Sequence, residues 1–277
     1  MKSLIINADD FGYSAGVNAG IIQSHKNGIL TSTTLMANMP GTLDAIQQAK
    51  NYPNLGVGAH LVLTTGKSLI SHDTNLVDPF GNFHRLSEYP RVRTSFSDED
   101  IFDEWCAQID FLINHGVPLT HFDSHHHVHF FPENHDITRR ISEKYQLVFR
   151  NSYGTEDFSP HDFKQVNDLL LDMMNTPVIR DMSQSYELLK ESCFEELAAT
   201  FSKGMSVDVL EMMVHPAFVD EHLYNNSSFN LQRIREIEIL TDPLTQQLIT
   251  DLGFRLTRYD NALETTQEFE TILRGNK

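Results

Sequence analysis

Short apolar runs of strand length alternate along this chain with segments whose apolar residues recur at helical spacing. Residues 3–8 (SLIINA) form the first run and end on Asp9-Asp10-Phe11-Gly12. Ser14 then caps a predicted helix that carries Val17, Ile21 and Ile22 and stops at Asn27-Gly28. Residues 30–37 alternate threonine with apolar side chains, a strand pattern, and a short helix is predicted over 42–50. A third strand covers residues 55–63 (LGVGAHLVL), with His60 toward its end. Such alternation predicts parallel strands joined by crossover helices, because parallel neighbours need a long connection to return the chain to the same end of the sheet.

The rhythm breaks at 64–97, which is rich in Gly, Pro, Asp, Asn and Ser with scattered aromatics (Phe80, Phe83, Tyr89). A loop of this length inside a compact domain usually covers a site or is disordered, and a partial lid is expected. Ser97-Asp98-Glu99-Asp100 opens an amphipathic helix through His115, with Ile101, Trp105, Ile109, Leu112 and Ile113 assigned to its apolar face. A strand over 119–123 leads into THFDSHHHVH, and a helix follows from Pro132 to Tyr145. Further on the pattern predicts strands at 147–150, 178–181, 207–214 (VDVLEMMV) and 254–257. It predicts helices at 162–174, 186–201, 231–241 and 243–252, then a polar terminal helix. The expected fold is α/β, an irregular (β/α) barrel of parallel strands forming a single domain over 1–277, with a long insertion at 64–97.

Charge narrows the partners. A formal net charge of −17 argues against nucleic acid and against an anionic membrane surface. No segment has the length or apolarity of a membrane span, and the few apolar residues before Asp9 do not make a signal peptide, so a cytoplasmic protein is expected. Cys106 and Cys193 lie in predicted helices outside any zinc spacing and read as buried free thiols.

The chemistry concentrates in the histidine stretch, where five of fourteen histidines (His121, His125, His126, His127, His129) and Asp123 fall within nine residues. Imidazole is the commonest protein ligand for transition metals, and a cluster this dense at the end of a strand points to a metal site. Asp9 and Asp10, His60, His125 and His215 are far apart in sequence, yet each lies at the carboxyl end of a predicted strand. Singly, each has an ordinary reading as a cap, a core histidine or a turn residue. In a parallel barrel those ends share one rim, where active sites form. One aspartate with two histidines is a common hydrolytic ligand set, leaving positions open for water and substrate. The second aspartate is then free as general base, a histidine across the site can serve as acid, and Asp123, His127 and His129 become orienting or substrate-contacting residues.

These residues resemble the YdjC-like carbohydrate deacetylases, which include the chitooligosaccharide deacetylases. The matching pieces are Asn7-Ala8-Asp9-Asp10-Phe11-Gly12, Gly58-Ala59-His60-Leu61, THFDSHHHVH and Met213-Val214-His215-Pro216; alanine follows the last where relatives often have glycine. The resemblance implies a polysaccharide-deacetylase-like barrel, one divalent metal ion (magnesium or zinc), and hydrolysis of N-acetyl groups from amino-sugar oligosaccharides of chitobiose type. By position it makes Asp10, His60 and His125 the metal ligands and Asp9 the base acting on water held by the ion. A wider similarity to polysaccharide deacetylases makes His215 the acid. The 231–241 region also looks like the family and is expected to bring Arg235 or Glu238 near the rim. The implied partner is a small oligosaccharide, and a homodimer is left open. Two other readings compete: a phosphoesterase on the same barrel, which should bind two ions, and a metal-binding protein without turnover.

Overall fold

The computed structural model describes residues 2–70, 73–152 and 166–262. The first five elements are β1 (Lys2–Phe11), α1 (Ala15–Asn27), β2 (Ser32–Leu35), α2 (Thr42–Asn51) and β3 (Gly56–Leu61). After the 64–97 region, which contains the single-turn helix α3 (Tyr89–Val92), come α4 (Asp98–Asn114), β4 (Leu119–Ser124), α5 (His135–Tyr145) and β5 (Val148–Phe149). The second half holds β6 (Leu169–Asp172), α6 (Pro177–Arg180), α7 (Tyr186–Ser202), β7 (Val209–Val214) and α8 (Glu221–Asn226), then α9 (Gln232–Thr241), α10 (Pro243–Asp251) and β8 (Phe254–Thr257).

All strand pairings are parallel, in the order β5-β4-β3-β2-β1-β7-β6. β1 is the centre of this arrangement. β7 runs along one side of it, while β8 borders its amino half and β2 its carboxyl half. Both faces of β1 are covered, which is why residues 3–8 read as a nearly continuous apolar run. Among the described residues no ladder joins β5 to β6, so the sheet curls into an open half-barrel. The expected single-domain α/β barrel is therefore present in irregular form.

The predicted caps form as read. The Ser14 hydroxyl accepts from the Val17 amide and the Ser97 hydroxyl from the Asp100 amide. On α4 the stripe Ile101, Trp105, Ile109 and Leu112 is buried; Ile113, one step round the helix, is 46 % exposed and does not belong to it. Cys106 and Cys193 are buried free thiols in α4 and α7.

Two predicted elements are exchanged in type. Residues 169–172 form β6 instead of the end of a helix over 162–174, because pairing with β7 outweighs the helix preference of Leu and Met. The first part of that predicted helix lies outside the described residues. Residues 177–180 form α6 instead of a strand: Pro177 stands at the first helical position, where its fixed φ and missing N–H suit a helix start. Most of the predicted terminal helix also lies outside the described residues. Among them, no helix is long and apolar enough to cross a membrane.

Residues 64–66, 78 and 82–88 of the 64–97 region line a cavity at the carboxyl ends of the strands. The start of this region is tied to α4 by Glu104, a fully buried carboxylate that accepts from the Ser68 hydroxyl, the Leu69 and Ile70 amides and the Gln108 side chain. Phe83 is buried and lines the cavity beneath the loop, whereas Phe80 is 80 % exposed.

Candidate metal centre

Register brings the polar groups together. In the pairing of β3 with β4, His60 stands opposite Asp123, and in the pairing of β1 with β7, Ala8 stands opposite Val214. Asp9, Asp10 and His215 therefore reach the same rim, with His60 and Asp123 just behind it. The rim borders a cavity of about 1720 Å³ whose lining includes Asp9, Asp10, His125, His127, His215 and Arg233.

Asp9 and Asp10 are the last polar pair inside β1, not residues beyond its end. Asp10 has φ 69°, a left-handed conformation uncommon for a side chain with a Cβ, and the ladder to β2 shifts register there. The two carboxylates consequently serve different neighbours. Asp10 Oδ1 lies 3.4 Å from His60 Nε2 and 3.0 Å from His125 Nδ1, and ligand atoms of these three residues all lie within 4.8 Å of one another. Neighbouring ligands around an ion with bonds of ~2.0–2.1 Å are ~3.3 Å apart, so the separations suit a bound cation. Asp10 Oδ1 and His60 Nε2 are buried and make no well-formed hydrogen bond. Lone pairs that converge without pairing are what a metal site presents, and these residues fit one.

Behind the triad, His60 Nδ1 is 2.6 Å from Asp123 Oδ1 and 3.1 Å from the Thr34 hydroxyl. Donation from Nδ1–H to that carboxylate leaves the Nε2 lone pair facing Asp10, an orientation typical of metal-ligating histidine. Burial would lower the His60 pKa, but Asp123 and Asp10 outweigh it and push it up to about 10 in the metal-free protein. The pocket is therefore strongly cation-seeking, whether the cation is a proton or a metal.

Asp9 faces the other way, to Arg150. The guanidinium donates from Nη1 and Nη2 to Asp9 Oδ2 and Oδ1 at 2.8 and 2.6 Å, and Nη1 is also 2.8 Å from Asp123 Oδ2. Nε donates to Glu211 Oε1 at 2.8 Å, and the Tyr259 hydroxyl donates to the other Glu211 oxygen. Burial alone would raise the Asp9 pKa; the Arg150 charge and hydrogen bonds reverse this and hold it below the usual carboxylate range. Glu211 is pushed up to about 7 by burial, only partly offset by Arg150.

The histidine tract divides by role. His121 is core: its ring stacks on Tyr259 at 3.7 Å and occupies the space a Cβ on Gly58 would need. After His125, positive φ at His126 and His127 (58° and 55°) turns the chain sharply, and both side chains line the cavity. His127 Nδ1 shares a hydrogen bond with the Ser152 hydroxyl, and burial pushes its pKa down to about 3. His129 is fully buried between the Ser124 hydroxyl, 2.5 Å from Nδ1, and the Arg150 carbonyl, 3.1 Å from Nε2. It locks the loop and does not line the cavity, while Asp123 sits behind the rim on His60 and Arg150. His215 does line it; burial, then Arg233, pushes its imidazole down to about 4.

Helix α9 contributes two groups. Arg233 Nη2 donates to Asp10 Oδ2 at 2.8 Å, and Glu236 accepts the His215 backbone amide. The expected pair, Arg235 and Glu238, does not reach the rim: Arg235 is buried against the Val178 and Gln184 carbonyls, with Glu238 at 3.3 Å. Their offset along the helix puts them on another face.

The model of the YdjC-like protein family matches residues 3–251. This chain belongs to that family. It is 36 % identical over 255 residues to a carbohydrate deacetylase of Geobacillus stearothermophilus, an alignment covering 92 % of this chain and 96 % of the relative. It is 34 % identical to a carbohydrate deacetylase of Vibrio campbellii over 97 % and 99 % of the two chains. Among solved structures, a proposed cellobiose-phosphate cleavage protein of Enterococcus faecalis superposes on this YdjC-like chain with a TM-score of 0.81. The two are 32 % identical, with 94 % and 98 % of the chains covered.

Proposed function

We propose that this YdjC-like chain is a metal-dependent carbohydrate deacetylase that removes N-acetyl groups from amino-sugar oligosaccharides of chitobiose type. The observation that carries this reading is the convergence of Asp10, His60 and His125 beside a second, differently held carboxylate, Asp9, at the floor of a large polar cavity. The names of the relatives supply the carbohydrate class.

A divalent ion held by Asp10, His60 and His125 would polarise the acetyl carbonyl and make nearby water more acidic. Asp9, kept ionised and fixed in orientation by Arg150, takes the proton of the attacking water. His215 starts neutral and relays the proton that Asp9 took from water to the leaving amine, so Asp9 returns to its ionised form and His215 to its neutral one. Asp123 keeps His60 in the tautomer that offers Nε2, and His127 contacts substrate from the cavity wall. Two imidazoles and one carboxylate suit zinc or another late transition ion better than magnesium, which prefers more oxygen donors.

A second group, Asp9, His60 and Asp123, also brings three ligand atoms together. Arg150 already donates to Asp9 and lies 2.8 Å from Asp123, so its guanidinium is the cation there, and one ion per chain is expected. The test is acetate release from the diacetylated disaccharide by chelator-stripped protein, restoring zinc, magnesium, manganese and cobalt one at a time and measuring bound metal. Arg85 on the loop lines the cavity, so a 6-phosphorylated disaccharide belongs in the same assay. Turnover with one ion per chain is expected. No acetate release with any ion, or two ions per chain with phosphate release instead, refutes the proposal.

A further inference from the structure

Arg233 is placed at an electrostatic disadvantage. It lies in the first turn of α9, where the helix dipole disfavours a cation, and it is only 4 % exposed. Three contacts hold it there. Nε donates to the Phe229 carbonyl at 2.8 Å, the guanidinium lies 5.6 Å from the centre of the Phe229 ring, and Nη2 donates to Asp10 Oδ2 at 2.8 Å. The Asp10 carboxylate is thereby divided. Oδ2 is committed to Arg233, and Oδ1 faces His60 Nε2 and His125 Nδ1 without a well-formed hydrogen bond.

We propose that Arg233 is a positioning residue that restricts Asp10 to offering one oxygen to the metal, giving up cation affinity to keep the coordination sphere open for reaction. The proposal rests on the reading of Asp10, His60 and His125 as the metal site. Two physical consequences follow. A guanidinium on the same carboxylate repels a divalent cation, so its charge lowers affinity; and a carboxylate free to turn both oxygens toward the ion would fill a position that water or the acetyl oxygen needs. A purely structural arginine makes the opposite prediction, because losing it would let Asp10 drift and weaken binding.

The experiment titrates chelator-stripped full-length protein with zinc by calorimetry, comparing the parent with Arg233→Gln and Arg233→Lys. The Gln variant loses the charge and, because its amide ends at about the position of the guanidinium Nε, also the donor to Asp10 Oδ2, and should bind zinc roughly tenfold more tightly while acetate release slows. The Lys variant keeps the charge and should stay within about threefold of the parent. Cobalt(II) spectra report ligand number independently: the visible bands of Arg233→Gln should weaken as an oxygen is added, and those of the Lys variant should not. Equal or weaker zinc binding by Arg233→Gln, tighter binding by both variants, or unchanged cobalt spectra would overturn the role of Arg233. Parent protein that takes up no ion would instead overturn the metal-site reading on which it rests.

Discussion

Asp9 and Asp10 are chemically identical neighbours, and their separation into two roles depends on what each touches. Asp10 turns through a positive φ to meet His60, His125 and Arg233, whereas Asp9 is clamped by both terminal nitrogens of Arg150. Asp10→Asn should lose metal first, because an amide is a poor substitute for the carboxylate ligand. Asp9→Asn should keep most of the metal while the rate falls by roughly a hundred- to ten-thousand-fold, the usual range for a lost general base. Metal content and acetate release measured on both proteins check this; the reverse pattern would exchange the two assignments. Asp9, Asp10, His60 and His125 are legible in the sequence because each closes a recognisable strand. Arg150 and Arg233 are not, since a lone arginine after a two-residue strand or at a helix start resembles any surface cation. One signal was available: Glu211, in the middle of the apolar strand VLEMMV, requires a buried cationic or hydrogen-bonding partner, and Arg150 and Tyr259 are those partners.

At the scale of elements, the strands and helices up to β4, apart from the single-turn α3, follow from periodicity alone, because burial on both faces of β1 and on one stripe of α4 leaves an unambiguous pattern. β6 and α6 do not, since four residues carry too little periodicity and their type is decided by β7 and by Pro177. The loop at 64–97 is legible as an interruption, but not what fixes it. Glu104 does so from inside α4 by gathering donors from residues 68–70. Glu104→Ala takes the shared acceptor from these half-buried donors, at a cost of about 0.5–1.5 kcal/mol for each hydrogen bond lost. The loop should then detach from α4 and the cavity should lose a wall. The expected outcome is a KM for the disaccharide raised several-fold, with zinc affinity unchanged. An unaltered KM would mean that the loop does not shape the substrate groove, whatever the variant does to stability.

For the molecule as a whole, the centre of the half-barrel buries more acid than base. Among the described residues, Asp9, Asp10, Asp123, Glu211 and Glu236 are matched by two guanidiniums, Arg150 and Arg233. Part of the imbalance is met by protons: burial pushes Glu211 up to about 7 and Glu236 up to about 8 from an ordinary 4.5. A raised acid binds its proton more tightly folded than unfolded, so the stability it contributes is present below its unfolded pKa and is lost as pH rises through 7 and 8. His60, raised to about 10 in the metal-free protein, acts in the same direction above 6.5. The buried neutral histidines act oppositely. Burial lowers His126 and His127 to about 3 and His215 to about 4, so they favour unfolding as pH falls below 6.5, where the unfolded chain takes up protons that the fold does not. Above 6.5 those three are neutral in both states, and only the first group remains. The metal-free protein should therefore be most stable near pH 6.5, losing stability on either side at up to about 1.4 kcal/mol per pH unit for each proton exchanged. Glu236→Gln keeps the neutral, hydrogen-bonding form at every pH, so it should remove one proton's share of the decline from pH 4.5 to 8, flattening the loss between pH 6.5 and 8 and steepening the rise between pH 5 and 6.5. Denaturant unfolding of both chelator-treated proteins at pH 5, 6.5 and 8 measures this directly, and parallel curves over the alkaline range would show that Glu236 is ionised in the fold.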